Sequence, residues 1–121
     1  MKHYEYIREA SYHLAIAREI ASYFCPPAIE TGISEVITEI RNVLNFLTYE
    51  EYNAKKHIER INFFKKYVLN KIIDFSKNEM EDCNNHATII SIHFSRLHEE
   101  LAKATAYLEL FIIIYNEQKG N

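Results

Sequence analysis

An all-α fold, an antiparallel up-down-up-down four-helix bundle, is predicted for this chain by three observations. The chain holds only two glycines and two prolines in 121 residues, which removes the compositional support for turn-rich all-β and for disordered states. Apolar residues recur three and four apart in four separate blocks, the spacing that lines one face of a helix. The connections between blocks are short, which favours antiparallel neighbours. At this length the chain makes one hydrophobic core, so residues 1–121 are read as a single domain.

The first helix is expected near residues 4–24, with Ile7, Ala10, Leu14, Ala17, Ala21 and Phe24 on its seam. Cys25-Pro26-Pro27 ends it, because proline lacks the backbone donor and clashes with the preceding turn. The second, near 28–47, repeats the pattern at Ile29, Ile33, Val36, Ile40, Val43 and Leu47. Gly32 is a soft spot there that allows Ser34 as the N-cap.

Thr48-Tyr49-Glu50-Glu51 fits a capping box, so a third helix is expected near 49–77, turning Ala54, Ile58, Ile61, Val68, Ile72 and Phe75 inward. Residues 78–85 lack periodicity and read as a polar connection, with Asn84 or Asn85 capping the next helix. That fourth helix, near 85–117, has the cleanest seam: Ile90, Phe94, Leu97, Leu101, Ala104, Leu108, Phe111 and Tyr115. Some 30 helical residues extend for about 45 Å, longer than the first two helices, so part of this helix needs a further partner.

Charge is segregated along the chain. Residues 54–77 carry Lys55, Lys56, Arg60, Lys65, Lys66, Lys71 and Lys77 against Glu59 and Asp74, whereas the whole chain has a net charge of −3. A polyanion or an acidic surface is the partner such a segment suggests. On the helix, Lys55, Lys66 and Lys77 form one outward stripe, and Lys56, Arg60 and Lys71 another; Tyr52, Phe63 and Tyr67 lie between. Cations that neutralise phosphates, interleaved with rings that stack on bases, are the elements of single-stranded nucleic-acid binding. A solvated lysine face is the simpler structural account.

Two helices are apolar over more than one stripe. Tyr12, Ile16, Ile20 and Tyr23 lie off the first seam, and Leu110, Ile112, Ile113 and Ile114 surround Phe111 in the last helix. Helices apolar on several sides need cover on several sides, so Tyr12, Ile16, Tyr23, Ile112 and Ile113 are the expected interface of a homodimer.

Motifs for chemistry are sparse. Six histidines are present, but Glu-x-x-His is not, which argues against a di-iron site of the ferritin type. An up-down-up-down bundle brings its first and third connections to one end, so Cys25 approaches Cys83 and His86; with Glu81 or Asp82 these make either a zinc site or a disulfide, against a plain reading of two free thiols. With two isolated glycines there is no phosphate-binding loop, and Glu99-Glu100 reads as a solvated pair. No catalytic residue, metal ligand or cofactor is assigned.

Arg8 and His13 form Arg-x4-His. On those two positions and its helical architecture the chain resembles the HEPN family of helical ribonucleases, dimeric bundles whose motif is an Arg followed by four to six residues and a His. The resemblance implies Arg8 as a phosphate ligand and His13 as general acid or base. Glu9 stands where the family has Asn, Asp or His. A five-residue step leaves the two side chains about 140° apart on a regular helix, so a shared site needs a distorted helix or a second subunit.

The expected protein is thus a non-catalytic helical interaction protein that self-associates, as a dimer, and binds a macromolecular partner through Lys55, Lys56, Arg60, Phe63, Lys66, Tyr67 and Lys71. Nucleic acid or an acidic protein surface is the expected partner there. The start Met1-Lys2-His3-Tyr4-Glu5-Tyr6 has no apolar run of signal-peptide type, and no stretch reaches the ~20 apolar residues of a span, so a cytoplasmic protein without membrane contact is expected.

Overall fold

Proline sets the first two boundaries. In the computed structural model, which describes residues 3–49, 51–83 and 89–119, α1 (His3–Phe24) ends just before Cys25-Pro26 and α2 (Pro27–Tyr49) starts on the second proline. Proline suits the first helical position because its missing N–H has no intrahelical partner there. The Ile29 N–H donates to the Pro26 carbonyl at 3.0 Å, closing the first turn. Ser34 is therefore interior to α2, and Gly32 lies inside the helix.

The role of Gly32 is spatial. A Cβ at this position would lie 3.1 Å from Cδ1 of Ile72 and 3.2 Å from Cγ1 of Val68, so the absent side chain lets α2 approach the third rod closely. That rod is α3 (Glu51–Phe64), a π-helical turn over Lys65–Leu69, and α4 (Asn70–Cys83) in one run. Phe64 and Asn70, at φ near −60° and ψ near −38°, are both right-handed helical, and the Asn70 N–H donates to the carbonyl of Lys65, five residues back. The last helix, α5 (Ile89–Lys119), returns along α1.

The π turn falls midway along the buried line of the rod. The buried line of the rod runs Ile58, Ile61, Leu69, Ile72 and Ser76. Eight residues separate Ile61 from Leu69, nearly one more than two α-helical turns, and the wider i→i−5 turn takes up the excess. Lys65 falls on the inward line between them; its stem is largely covered, and its ammonium reaches Glu109 of α5 at 3.4 Å.

The packing order is cyclic: α1 lies between α5 and α2, α2 against α3, and α4 against α5. Cross-helix contacts give the antiparallel directions. His13 and Tyr6 of α1 meet Glu100 and Tyr107 of α5, and Lys65 and Ser76 of the rod meet Glu109 and His98. The expected bundle is therefore the observed one.

Every described α5 seam residue, from Phe94 to Tyr115, is buried, and so are Ile7, Ala10, Leu14, Ala17 and Ala21 of α1. On α2, Ile33, Val36, Ile40 and Val43 are buried while Ile29 is half-buried. Val68 and Phe75 are only half-buried, and Leu69, unmarked by a regular helical pattern, takes the core position. Phe24, Leu47, Ala54 and Ile90 lie outside the described side chains. Phe111 and Tyr115 belong to the same core as the rest, so the far end of α5 is covered within the chain.

Two boundaries differ from expectation. α2 runs through Thr48 to Tyr49, and α3 begins at Glu51. The rod does not stop at Lys77: α4 continues to Cys83. Residues 78–83 carry no long apolar run, yet the half-buried Glu79 carboxylate lies close enough to Cys25 to act on its thiol, so this last stretch ends near the end of α1. Asn84, Asn85 and His86 lie outside the described residues.

Candidate interaction face

Continuation of the rod to Cys83 changes its electrostatics. Counted over residues 51–83, it holds seven bases and six acids, Glu51, Glu59, Asp74, Glu79, Glu81 and Asp82. Bases dominate its first half and acids its last turns. The basic segment is one end of a bipolar helix.

All seven residues expected to bind a partner are exposed: Lys55, Lys56, Arg60, Phe63, Lys66, Tyr67 and Lys71. The rings of Phe63 and Tyr67 are 56% and 47% exposed with centroids 4.7 Å apart, so they form one outward aromatic pair rather than two separate contacts with neighbouring helices. Lys66 places its ammonium 5.4 Å from the Tyr67 ring centre, within cation–π range. Arg60 leans back to Glu39 of α2, 3.5 Å away. Glu39 is itself buried, so the exposed guanidinium partly balances a carboxylate that α2 carries into the bundle.

Beyond the seven residues expected to bind a partner, the rod exposes others. Asp74, Asn78 and Glu81 are exposed on the turns beyond Lys71, and so are Glu59 and Lys77. Lys56, Arg60, Phe63 and Tyr67 advance by four and three residues along one line; beyond the π turn Lys71, Asp74, Asn78 and Glu81 make a second line, rotated from the first because the turn absorbs one residue. Arg60, Tyr67, Asp74 and Glu81 stand seven apart in the sequence, which would align them on an uninterrupted α-helix; the π turn between Phe64 and Asn70 turns Asp74 and Glu81 away from Arg60.

The five residues expected at an oligomer interface are not gathered. Tyr12, Tyr23 and Ile113 are exposed, whereas Ile16 and Ile112 are half-buried against the core. The antiparallel register of α1 and α5 carries Tyr23 and Ile113 to opposite ends of the bundle, about 30 Å apart at 1.5 Å per residue. Beside Tyr23 a half-open cleft of about 500 Å³ is lined by Ile16, Ile20, His93 and Arg96.

His13 sits within the α1–α5 seam. Its Nδ1 is 2.5 Å from a Glu100 carboxylate oxygen, its Nε2 is 3.9 Å from Glu9, and its ring stacks on Tyr107 with centroids 5.7 Å apart. Arg8 is exposed, with its guanidinium 5.2 Å from the Tyr4 ring centre. α1 is regular through this segment, so the two side chains point into different surroundings.

At the Pro26 end, Cys25 is a half-buried thiol whose pKa is pushed up to about 11, first by burial and then by the Glu79 carboxylate. A thiol held protonated is a poor zinc ligand and a poor nucleophile. Among the described residues no group of three potential ligands is placed to hold a metal ion; Cys83, His86 and Asp82 lie outside the described side chains. Nor is any described helix long and apolar enough to cross a membrane.

What fold and surface define together is a class: a small antiparallel helical bundle with an exposed aromatic pair among cations on one charge-bipolar rod. In comparisons with protein-family models, characterised proteins and solved structures, nothing matches this chain.

Proposed function

We propose that the chain is a non-catalytic helical interaction protein that associates with itself and binds a macromolecular partner, and that the outward face of the third rod is its working surface. The observation that carries this reading is the Phe63–Tyr67 pair, two adjacent rings left in solvent among exposed cations. Large aromatic side chains gain free energy when both ring faces are covered, and an exposed aromatic centre with a charged rim is the anatomy of a contact surface. The α1 and α5 residues Tyr12, Ile16, Tyr23, Ile112 and Ile113 support it less, because they are dispersed or half-buried.

Single-stranded nucleic acid is the second reading. It is favoured by the exposure of Lys55, Lys56, Arg60, Lys66 and Lys71 around stackable rings. The acids in the last turns of the rod limit the length of strand that this face accommodates.

The test pairs two measurements on the wild type and on the double variant Phe63→Ala/Tyr67→Ala. One is sedimentation velocity over a concentration series. The other is fluorescence anisotropy with labelled single-stranded DNA and RNA at about 50 and about 200 mM salt, conditions that separate phosphate contacts from the rest. The reading expects the double variant to lose self-association, nucleic-acid binding or both while keeping its helical circular dichroism. Unchanged behaviour in both assays would overturn it.

A further inference from the structure

The cleft between α1 and the first turns of α5 is separate from the third rod. Its floor is apolar: Ile20 is buried, Ile16 is half-buried against the core, and both line the opening. Tyr23, 80% exposed, and His93 add a ring from each helix. Two opposite charges complete the lining, Glu19 from α1 and Arg96 from α5. Both are exposed, and neither side chain is in an ion pair or a side-chain hydrogen bond among the described residues.

The antiparallel seam sets the height of these two charges. His13 meets Glu100 and Tyr6 meets Tyr107, so residues 19 and 96 fall within about one turn of each other along the bundle. The acid and the base thus stand level on opposite walls, with the isoleucine floor beside them.

We infer that this cleft binds a free α-amino acid with a large apolar side chain, its ammonium on Glu19, its carboxylate on Arg96 and its side chain over Ile16 and Ile20. One acid and one base over an apolar floor are complementary to a zwitterion with an apolar body. Ligand sites combine an apolar lining with a few convergent polar groups in volumes of about 300–1,000 Å³, and this cleft holds about 500 Å³.

Span and charge narrow the class. Packed helix axes lie about 8–10 Å apart. An ammonium and a carboxylate on one carbon, with a hydrogen bond of about 2.8 Å at each end, bridge a comparable gap. The guanidinium fork of Arg96 matches the carboxylate with two parallel N–H···O bonds, and the ammonium donates to the Glu19 carboxylate. An apolar acid without an ammonium brings its charge beside Glu19 uncompensated, and an apolar amine does the same beside Arg96. Aromatic side chains gain most, because Tyr23 and His93 offer rings to pack against.

Phenylalanine titrated into the isotope-labelled full chain, followed by amide correlation spectra, tests this inference. Saturable shifts are expected around residues 16–23 and 93–96, with a dissociation constant of about 1 mM or lower. Two capped analogues read the two contacts separately. N-acetylphenylalanine lacks the ammonium and phenylalaninamide lacks the carboxylate, and each is expected to bind the wild type about tenfold more weakly. Glu19→Gln is expected to weaken phenylalanine about tenfold while leaving N-acetylphenylalanine unchanged, and Arg96→Gln to weaken phenylalanine equally while leaving phenylalaninamide unchanged. Both positions are exposed, and circular dichroism confirms the fold of each variant.

Absence of saturable shifts at about 10 mM phenylalanine overturns the inference. Equal binding of phenylalanine and N-acetylphenylalanine also overturns it, because the cleft is then a site for apolar acids. So does phenylalanine binding that neither substitution weakens, or glycine binding as tight as that of phenylalanine, which leaves the apolar floor without a role.

Discussion

Gly32→Ala separates helix propensity from close packing at the point where α2 meets the π turn. Propensity alone predicts stabilisation by about 1 kcal/mol, because glycine in a helix interior is that much worse than alanine. The structure predicts otherwise. The new Cβ would sit 3.1 Å from Cδ1 of Ile72 and 3.2 Å from Cγ1 of Val68, both closer than ordinary van der Waals contact.

The two neighbours differ in how easily they yield. Cδ1 of Ile72 is the end of a flexible side chain and moves by a small χ2 rotation, whereas Val68 is stiff at χ1 and can withdraw only if the π turn shifts with it. Overpacking of this kind costs about 1–3 kcal/mol. Set against the propensity gain of about 1 kcal/mol, the net expectation is a loss of about 1 kcal/mol.

A double-mutant cycle with Val68→Ala isolates the contact. Val68→Ala alone costs about 1–2 kcal/mol for a half-buried side chain. In the double variant the methyl introduced at position 32 enters the space that the valine leaves, so the combined loss falls short of the sum by about 1–2 kcal/mol. Urea unfolding followed by circular dichroism in the far ultraviolet gives all four free energies. Additivity within about 0.3 kcal/mol, or stabilisation by Gly32→Ala alone, would refute the close-approach account of this glycine.

Leu101→Ala, at a fully buried seam position of α5, is expected to cost about 2–5 kcal/mol in the same urea assay. His13→Ala leaves the half-buried Glu100 carboxylate without its imidazole partner and should cost about 1–3 kcal/mol, whereas Glu100→Gln, which keeps a hydrogen-bonding group in place, should cost less. Because the Cys25 thiol is raised to about 11 in the folded chain from an ordinary 9.0, its contribution to stability is complete below pH 9 and is lost as pH rises towards 11. Alkylation of Cys25 by iodoacetamide should accordingly be slow at about pH 8 and accelerate at higher pH than for a free thiol; Glu79→Gln should move that onset down. A Cys25 that reacts near pH ~8 as fast as a model thiol would contradict the burial described.

The four-helix architecture was legible because the apolar seams of α1, α2 and α5 follow the α-helical period without a break, and a period is a local property of sequence. The outward position of Lys56, Arg60 and Phe63 was legible for the same reason, since they lie opposite Ile58 and Ile61 within one regular stretch. Legibility ended where the period changed. A regular helix carries Val68 inward, and the π turn hands that place to Leu69. It ended again at residues 78–83, where polar composition suggested a connection although the backbone continues as helix.

Both differences have one physical origin. Periodicity reports which residues a helix can bury, but whether a helix widens by one residue or runs on for another turn and a half depends on what lies across from it. Here that is Gly32 of α2, open enough to admit Val68 and Ile72, and the end of α1, near which Glu79 lies. From residue order alone follow four helices, a buried seam on each and a cationic aromatic stretch on the third. The tertiary structure decided that this stretch shares one continuous rod with the acids at Glu79 and Glu81, and that Phe63 and Tyr67 stay in solvent as a pair, because both outcomes are set by contacts between helices rather than by the pattern within one.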